Sequence, residues 1–177
     1  LQFSRYLPLA AQRFRKVGFV CAPPLQRLLE WSMGDELVLA VRQPADFEAW
    51  DMHCPLMSLP RAFGARPDKL PASGPYLRAS SRAAGHWQER LALAAPGRFR
   101  IGIAWAGRKA HQYDHRRSLR FEQLQPLLRD ERVTWVSLQK WAPEDARPEV
   151  PATLDWLDWT DELTDFADTA ALVSGLD

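Results

Sequence analysis

The sequence predicts an α/β fold with two successive parallel-sheet domains. Short runs of β-branched and aromatic residues alternate with segments of helical periodicity, which is typical of strands covered by helices. Proline and glycine separate most of these segments, so the connections between them are short. A polar stretch from Arg66 to Ser81 lacks periodicity, and we interpret it as the crossing between domains at 1–80 and 81–177.

The first predicted domain alternates helices and strands. Pro24 suits the first turn of its second helix, and Gly64 suits the end of its last one. In order, the elements are a helix over 1–12, a strand over 17–21, a helix over 25–32, a strand over 36–41, a weaker strand candidate over 47–55 and a short helix over 55–64.

The second predicted domain repeats this alternation. Thr164 is the predicted cap of its closing helix, because carboxylates follow in the first turn, where the helix dipole favours them. In order, the elements are a helix over 86–94, a strand that begins the run 99–107, a helix over 121–128, a strand over 133–139, a strand-like piece over 154–159 and a helix over 165–176.

Composition predicts a globular, cytoplasmic protein. Of 177 residues, 46% are apolar, which is enough to fill a core, and the net charge of +1 gives no reason to expect nucleic acid or an anionic membrane as partner. No run approaches the ~18 apolar residues of a transmembrane helix, and no leader precedes a cleavage site. Cys21 and Cys54 lie in apolar, strand-like settings and are interpreted as reduced core thiols.

The stretch from Ala104 to Leu124 is the most informative about chemistry. It follows a predicted strand and precedes a predicted helix, where open α/β sheets bind ligands. Gly107 permits a sharp exit from the strand, and Ser118 is a predicted cap for the helix that starts near Arg120. The loop between them carries six basic or imidazole side chains: Arg108, Lys109, His111, His115, Arg116 and Arg117.

These residue types favour a diphosphate, since cations and free backbone N–H groups at a helix start bind phosphate oxygens. The alternative is a solvated basic loop with an ordinary serine cap. The classical mononucleotide and dinucleotide glycine motifs are absent from the sequence.

Three further positions are weaker candidates. Lys140 follows the strand over 133–139 and either reaches the same phosphate or is solvated. His53 and Ser58 either line the cleft between the domains or serve as a core histidine and a helix cap. Asp51, His53 and Cys54 lack the spacing of a zinc site, so we predict no metal.

Several segments, taken in order, resemble the catalytic region of bacterial tetratricopeptide-repeat glycosyltransferases. That family is similar to the heptosyltransferases of glycosyltransferase family nine and, more distantly, to the O-linked N-acetylglucosamine transferases. The resemblance covers nearly the whole chain, and its most specific parts are Trp105 to Ser118 and LTDFADTAAL. The segments are LQFSRYLPLAAQ, VCAPPLQRLL, DMHCPLMSLPRAFG, PYLRAS, GIAWAGRKAHQYDHRRSL, WVSLQK and ELTDFADTAALV.

The resemblance implies a GT-B fold: two Rossmann-like parallel-sheet lobes, the first for the acceptor and the second, incomplete here, for a nucleotide sugar. It implies sugar transfer from a nucleoside-diphosphate sugar, with no cofactor and no tightly bound metal. Gln139 matches the family at the end of the second strand of the donor lobe, beside Lys140. The implied donor residues are His111, Asp114, Arg117, Ser118 and Lys140, and the implied acceptor residues are Gln2 and Arg5, with His53 and Ser58 as further candidates.

Two family features are expected outside this sequence. The glycine-rich loop that supplies the catalytic carboxylate would lie before Leu1, and a phosphate-clamping helix start would lie after Asp177, so we expect an inactive fragment without an assigned catalytic residue. The resemblance also implies an upstream tetratricopeptide array and a protein or glycan acceptor. The alternatives are a non-catalytic sugar-, nucleotide- or protein-binding module and a phosphate-binding regulatory or nucleotidyl-transfer domain.

Overall fold

The structure is a computed structural model that describes residues 1–34, 38–40, 50–66, 68, 70–71, 74–107, 109–142 and 145–177. The chain divides into two compact units, one of residues 1–80 and 165–170, the other of residues 81–164 and 171–177. Residues 165–170, which were predicted to belong to the second domain, group with the first unit. Within the described part, no helix is long and apolar enough to cross a bilayer.

The first unit contains a parallel pair of short strands among helices. Strands β1 and β2 pair in parallel, with Gly18 opposite Val38. The predicted strand over 47–55 is wrong for its described part, because residues 50–55 form no strand; residues 47–49 lie outside the described ranges. The elements are 3-10 turns over Gln2–Tyr6 and Leu56–Ser58, with α1 (Leu7–Arg13), β1 (Gly18–Val20), α2 (Pro23–Met33), β2 (Val38–Ala40) and α3 (Leu59–Ala62).

The core of the first unit lies between α1 and α2. Leu7, Leu29 and Met33 form its buried centre, since the apolar side chains of each helix recur on one face. Cys21 packs partly buried against this cluster, whereas Cys54 is exposed and lies outside any strand. The prediction of two core thiols is therefore wrong for Cys54.

The second unit is built on three parallel strands in the order β3-β4-β5. Ile103 lies opposite Ser137, and Trp135 lies opposite Trp156. The elements are α4 (Ser81–Ala94), β3 (Phe99–Ile103), α5 (Gln125–Leu128), β4 (Val133–Ser137) and β5 (Trp156–Leu157), with 3-10 turns over Asp114–Arg116, Phe121–Leu124 and Thr160–Glu162. The last helix, α6 (Phe166–Val173), begins among the residues of the first unit and ends among those of the second.

Side chains cover this sheet on both faces. On one face, Ile103 and Trp135 belong to a buried cluster with Phe121, Leu124 and Leu128. On the opposite face, Gly102 lies against a side chain from the segment after α6, since a Cβ added there would stand 2.5 Å from Leu176. Every residue of β4 is buried, as expected of a central parallel strand. The predicted α/β class with parallel strands is confirmed.

The cap of α6 differs from the prediction by one residue. Asp165 Oδ1 accepts the N–H groups of Ala167 at 2.7 Å and Asp168 at 3.1 Å, so Asp165 is the N-cap and the assignment of Thr164 is wrong. Arg27 donates to both carboxylate oxygens of Asp165, at 2.9 and 2.7 Å. Burial opposes ionisation of Asp165, but Arg27 and the two N–H groups outweigh it, and the pKa of Asp165 lies below its ordinary value.

Candidate functional site

The candidate site lies at one edge of the sheet in the second unit. Because β3 and β4 are parallel, their carboxyl ends meet at the same edge. The loop from Ala104 to Ser118 leaves β3 there, and Leu138 to Lys140 leave β4 beside it. Ligands of open α/β sheets bind outside this edge, so these two segments are where a ligand is expected.

A buried glutamine fixes the start of the long loop. Gln139 is 5% exposed, and its Oε1 accepts the N–H groups of Trp105 at 3.1 Å and Ala106 at 2.9 Å. Its Nε2 donates to the carbonyls of Ala106 at 3.2 Å and Lys140 at 3.1 Å. Both ends of the amide are used, so this side chain ties the ends of β3 and β4 together.

The side chains of Ser118 and Asp114 connect the start of the loop to its end, eleven residues later. Ser118 Oγ accepts the N–H of Gly107 at 2.8 Å and donates to Asp114 Oδ1 at 2.8 Å. The predicted helix cap at Ser118 is wrong, because the following 3-10 turn begins at Phe121 with Arg120 as its N-cap. Ser118 instead joins the end of the loop to its start at Gly107.

The same carboxylate holds the guanidinium of Arg117. Arg117 Nε donates to Asp114 Oδ1 at 3.3 Å, while half of the arginine side chain stays exposed, at 50%. A Cβ added at Gly107 would stand 2.4 Å from Arg117 Nη2 and 2.7 Å from Asp114 Oδ1. The backbone of Gly107 has no positive φ, so glycine is needed here for space rather than for a sharp turn.

Gly107→Ala is expected to lower the free energy of unfolding by about 0.5–1.5 kcal/mol, since the added methyl group displaces the ends of the Asp114 and Arg117 side chains and weakens their hydrogen bonds. Urea unfolding measures this change. The control is Gly85→Ala in α4, where a Cβ meets nothing within 4 Å and should raise stability by about 0.5–1 kcal/mol. Equal effects of the two substitutions would contradict the close approach at Gly107.

The other basic and imidazole side chains of the loop differ in whether another group of the protein binds them. Lys109 forms an ion pair with Asp145, and its hydrogen bond, followed by the N–H of Ala142, lowers the pKa of Asp145 below the ordinary value. His111 accepts the N–H of Tyr113 at Nδ1, at 3.2 Å, which leaves Nε2 to carry the ring proton. His115 and Arg116 are exposed, and Arg108 lies outside the described residues.

Lys140 points to a backbone turn in this structure. Its Nζ donates to the carbonyls of Thr160 at 2.7 Å and Leu163 at 2.8 Å. Lys140 is an exposed residue whose ammonium is also held by these two carbonyl oxygens. Lys140 thereby anchors the turn before α6 to the end of β4.

The acceptor-side candidates lie in the first unit. The turn Gln2–Tyr6, which contains Gln2 and Arg5, packs against the turn Leu56–Ser58. Arg5 lies over the Tyr76 ring, 4.6 Å from its centroid, and Tyr76 donates to the carbonyl of Gln2 at 3.4 Å. His53 and Ser58 are exposed, so neither is a core residue, and the Ser58 side chain makes no cap hydrogen bond to α3.

Metal chemistry finds no support in the described ranges. They contain no group of three or more histidine, cysteine, aspartate or glutamate side chains placed to hold an ion. Asp51, His53 and Cys54 are all exposed in an irregular segment.

Comparisons with known proteins were negative: no protein-family model, no curated protein and no solved structure matches this chain. What the site binds must therefore be argued from its own contacts and charges. The close approach of Arg117 and Asp114 to Gly107 was not predicted from the sequence, where the only signal was a glycine next to a strand end.

Proposed function

We propose that this chain is part of a GT-B glycosyltransferase and that the loop from Gly107 to Ser118 binds the diphosphate of its nucleotide-sugar donor. The sugar would pass to a protein or glycan acceptor in the cytoplasm, with no metal or other cofactor. The proposed family is that of the bacterial tetratricopeptide-repeat glycosyltransferases, for which an upstream repeat array would recruit partners.

One observation supports the proposal most strongly. The guanidinium of Arg117 is hydrogen-bonded to Asp114 and half exposed, at the carboxyl ends of the parallel strands β3 and β4. Arg117 donates a hydrogen bond to Asp114 and lies close to Gly107, and Asp114 also accepts a hydrogen bond from Ser118. A side chain that is already ordered loses less entropy on binding than a free surface arginine does, which favours the binding of an anion. The planar fork of a guanidinium also matches two phosphate oxygens at once.

The five donor candidates then divide by role. Arg117 and the Nε2–H of His111 would contact the diphosphate directly. Asp114 repels an anion and Ser118 already uses its hydrogen atom, so both are positioning residues. Lys140 positions the turn over Thr160–Glu162 through the carbonyl of Thr160.

In the proposed reaction, the bond between the anomeric carbon of the sugar and the diphosphate oxygen of the donor breaks. The same carbon forms a new bond to the acceptor, which gives up a proton, and negative charge develops on the leaving nucleoside diphosphate. Arg117 would stabilise this charge in place, as preorganised donors do in other transferases. Gln2, Arg5, His53 and Ser58 of the first unit remain candidates for acceptor contacts. The base that activates the acceptor is not assigned to any residue of this chain.

Arg117→Ala is expected to weaken binding of ADP or UDP by about 1–3 kcal/mol, the scale of a lost charged hydrogen bond. Isothermal titration calorimetry on the 177-residue chain measures it. Arg129→Ala, which removes the same charge from an exposed site beyond α5, is the control and should leave the affinity unchanged. Equal affinities for wild type and Arg117→Ala would remove the loop from donor binding.

A second candidate is a module of the same fold that binds nucleotides without transfer. The engagement of Lys140 by two carbonyls and of Lys109 by Asp145 favours it, because fewer cations are left for a leaving diphosphate. Turnover of a panel of nucleotide sugars by the full-length protein separates the two candidates. Binding without release of nucleoside diphosphate would favour the module.

A further inference from the structure

An exposed aromatic ring stands inside the proposed diphosphate loop. Tyr113 is 51% exposed and directly precedes Asp114, which positions Arg117. The guanidinium of Arg116 lies over its ring, 5.6 Å from the centroid, and the His111 ring is 6.2 Å away at an interplanar angle of 58°. Among the described residues, none forms an ion pair with Arg116, because Asp114 pairs with Arg117 instead.

The ring of Tyr113 is not part of the hydrophobic core of the second unit. The buried cluster beneath the loop is made by other side chains, among them Trp105 and Phe121, and Tyr113 is outside it. A large aromatic surface with a guanidinium on it is a favourable environment for a second flat, polarisable group. Aromatic side chains beside cations are the combination that binds nucleobases, which stack through their π faces.

We propose that Tyr113 stacks against the nucleobase of the nucleoside diphosphate, with Arg116 and His111 flanking the stack. This inference rests on the proposed diphosphate site at Arg117, four residues along the same loop. Every base presents a π face, so stacking here holds the base without selecting strongly among bases. Tyr113 would thus supply affinity for the nucleoside, and Arg117 affinity for the phosphates.

The test compares three variants, Tyr113→Ala, Tyr113→Phe and Arg117→Ala, each titrated by calorimetry with ADP, UDP and inorganic pyrophosphate. Tyr113→Ala is expected to weaken ADP and UDP about tenfold, within the range of one stacked base, and to leave pyrophosphate unchanged. Tyr113→Phe keeps the ring and should bind all three ligands like wild type. Arg117→Ala should weaken all three.

The outcomes separate this inference from the proposed function. If Tyr113→Ala binds ADP and UDP like wild type while Arg117→Ala is weakened, stacking is wrong and the diphosphate site stands. If Tyr113→Ala weakens pyrophosphate as much as ADP, the ring only supports the loop and stacking is again wrong. If wild type binds none of the three ligands, the diphosphate site and the stacking both fail. Because Tyr113 is exposed, its variants should keep the urea midpoint of wild type.

Discussion

Gln139→Met is expected to lower the free energy of unfolding by about 2–5 kcal/mol, because it leaves one buried and three partly buried backbone groups without partners. Methionine keeps the length and volume of the side chain but can replace none of its hydrogen bonds. The N–H groups of Trp105 and Ala106 lose their acceptor, and the carbonyls of Ala106 and Lys140 lose their donor. Urea unfolding followed by tryptophan fluorescence measures the loss.

The matched control is Gln125→Met, the same substitution at an exposed position that begins α5. It should change stability by no more than about 0.5 kcal/mol, as is usual for surface sites. If Gln139→Met were as mild as Gln125→Met, the amide of Gln139 would not be the tie between β3 and β4. A second readout is ADP affinity, which should fall because the loop that carries Arg117 starts at this tie.

Several strands and helix boundaries could be predicted from sequence because their signals are local. The run VTWVS is rich in β-branched residues, and the structure makes it a strand with every residue buried. Pro24 lies in the first turn of α2, and Gly64 follows α3 with a positive φ of 61°. Such signals depend on one residue and its neighbours, so no knowledge of distant contacts is needed.

The roles of polar loop residues were not predictable, because their partners are chosen by tertiary structure. The sequence predicts Ser118 as a cap for the helix after it, yet its hydroxyl bonds Gly107 and Asp114, eleven and four residues before it. Lys140 bonds carbonyls about twenty residues later in the chain. Several partners were chemically acceptable for each side chain, and only the folded chain decides which one is near.

The place of the basic loop in the fold could be predicted, whereas the contacts of its side chains could not. The loop directly follows a predicted strand, so it lies at the carboxyl ends of the parallel strands β3 and β4. The positioning role of Asp114 could be assigned only from its distances to Ser118 and Arg117 in the structure. The reason for a glycine at position 107 could be found only from the position of the Arg117 side chain, ten residues later in the chain.

Trp105→Ala is expected to lower the free energy of unfolding by about 3–5 kcal/mol, the range found for large aromatic side chains in a core. Trp105 is 7% exposed and its ring contacts three others. The ring centroids lie 5.3 Å from Phe121, 5.6 Å from Trp141 and 6.0 Å from Trp156, all in edge or tilted arrangements. Alanine removes these contacts and leaves a cavity directly under the candidate site.

Trp31→Ala is the matched control, because Trp31 is only partly buried, in the first unit, and should cause a smaller loss. The backbone of Trp105 also anchors the loop, since its N–H donates to Gln139 and its carbonyl accepts the N–H of Leu119 at 2.8 Å. Alanine keeps these backbone hydrogen bonds but removes the ring that packs against Phe121, Trp141 and Trp156. Because this packing supports the start of the loop, Trp105→Ala should weaken ADP binding even at temperatures where the variant is fully folded, whereas Trp31→Ala should not. A folded Trp105→Ala variant that binds ADP like wild type would show that the loop holds Arg117 without support from the core beneath it.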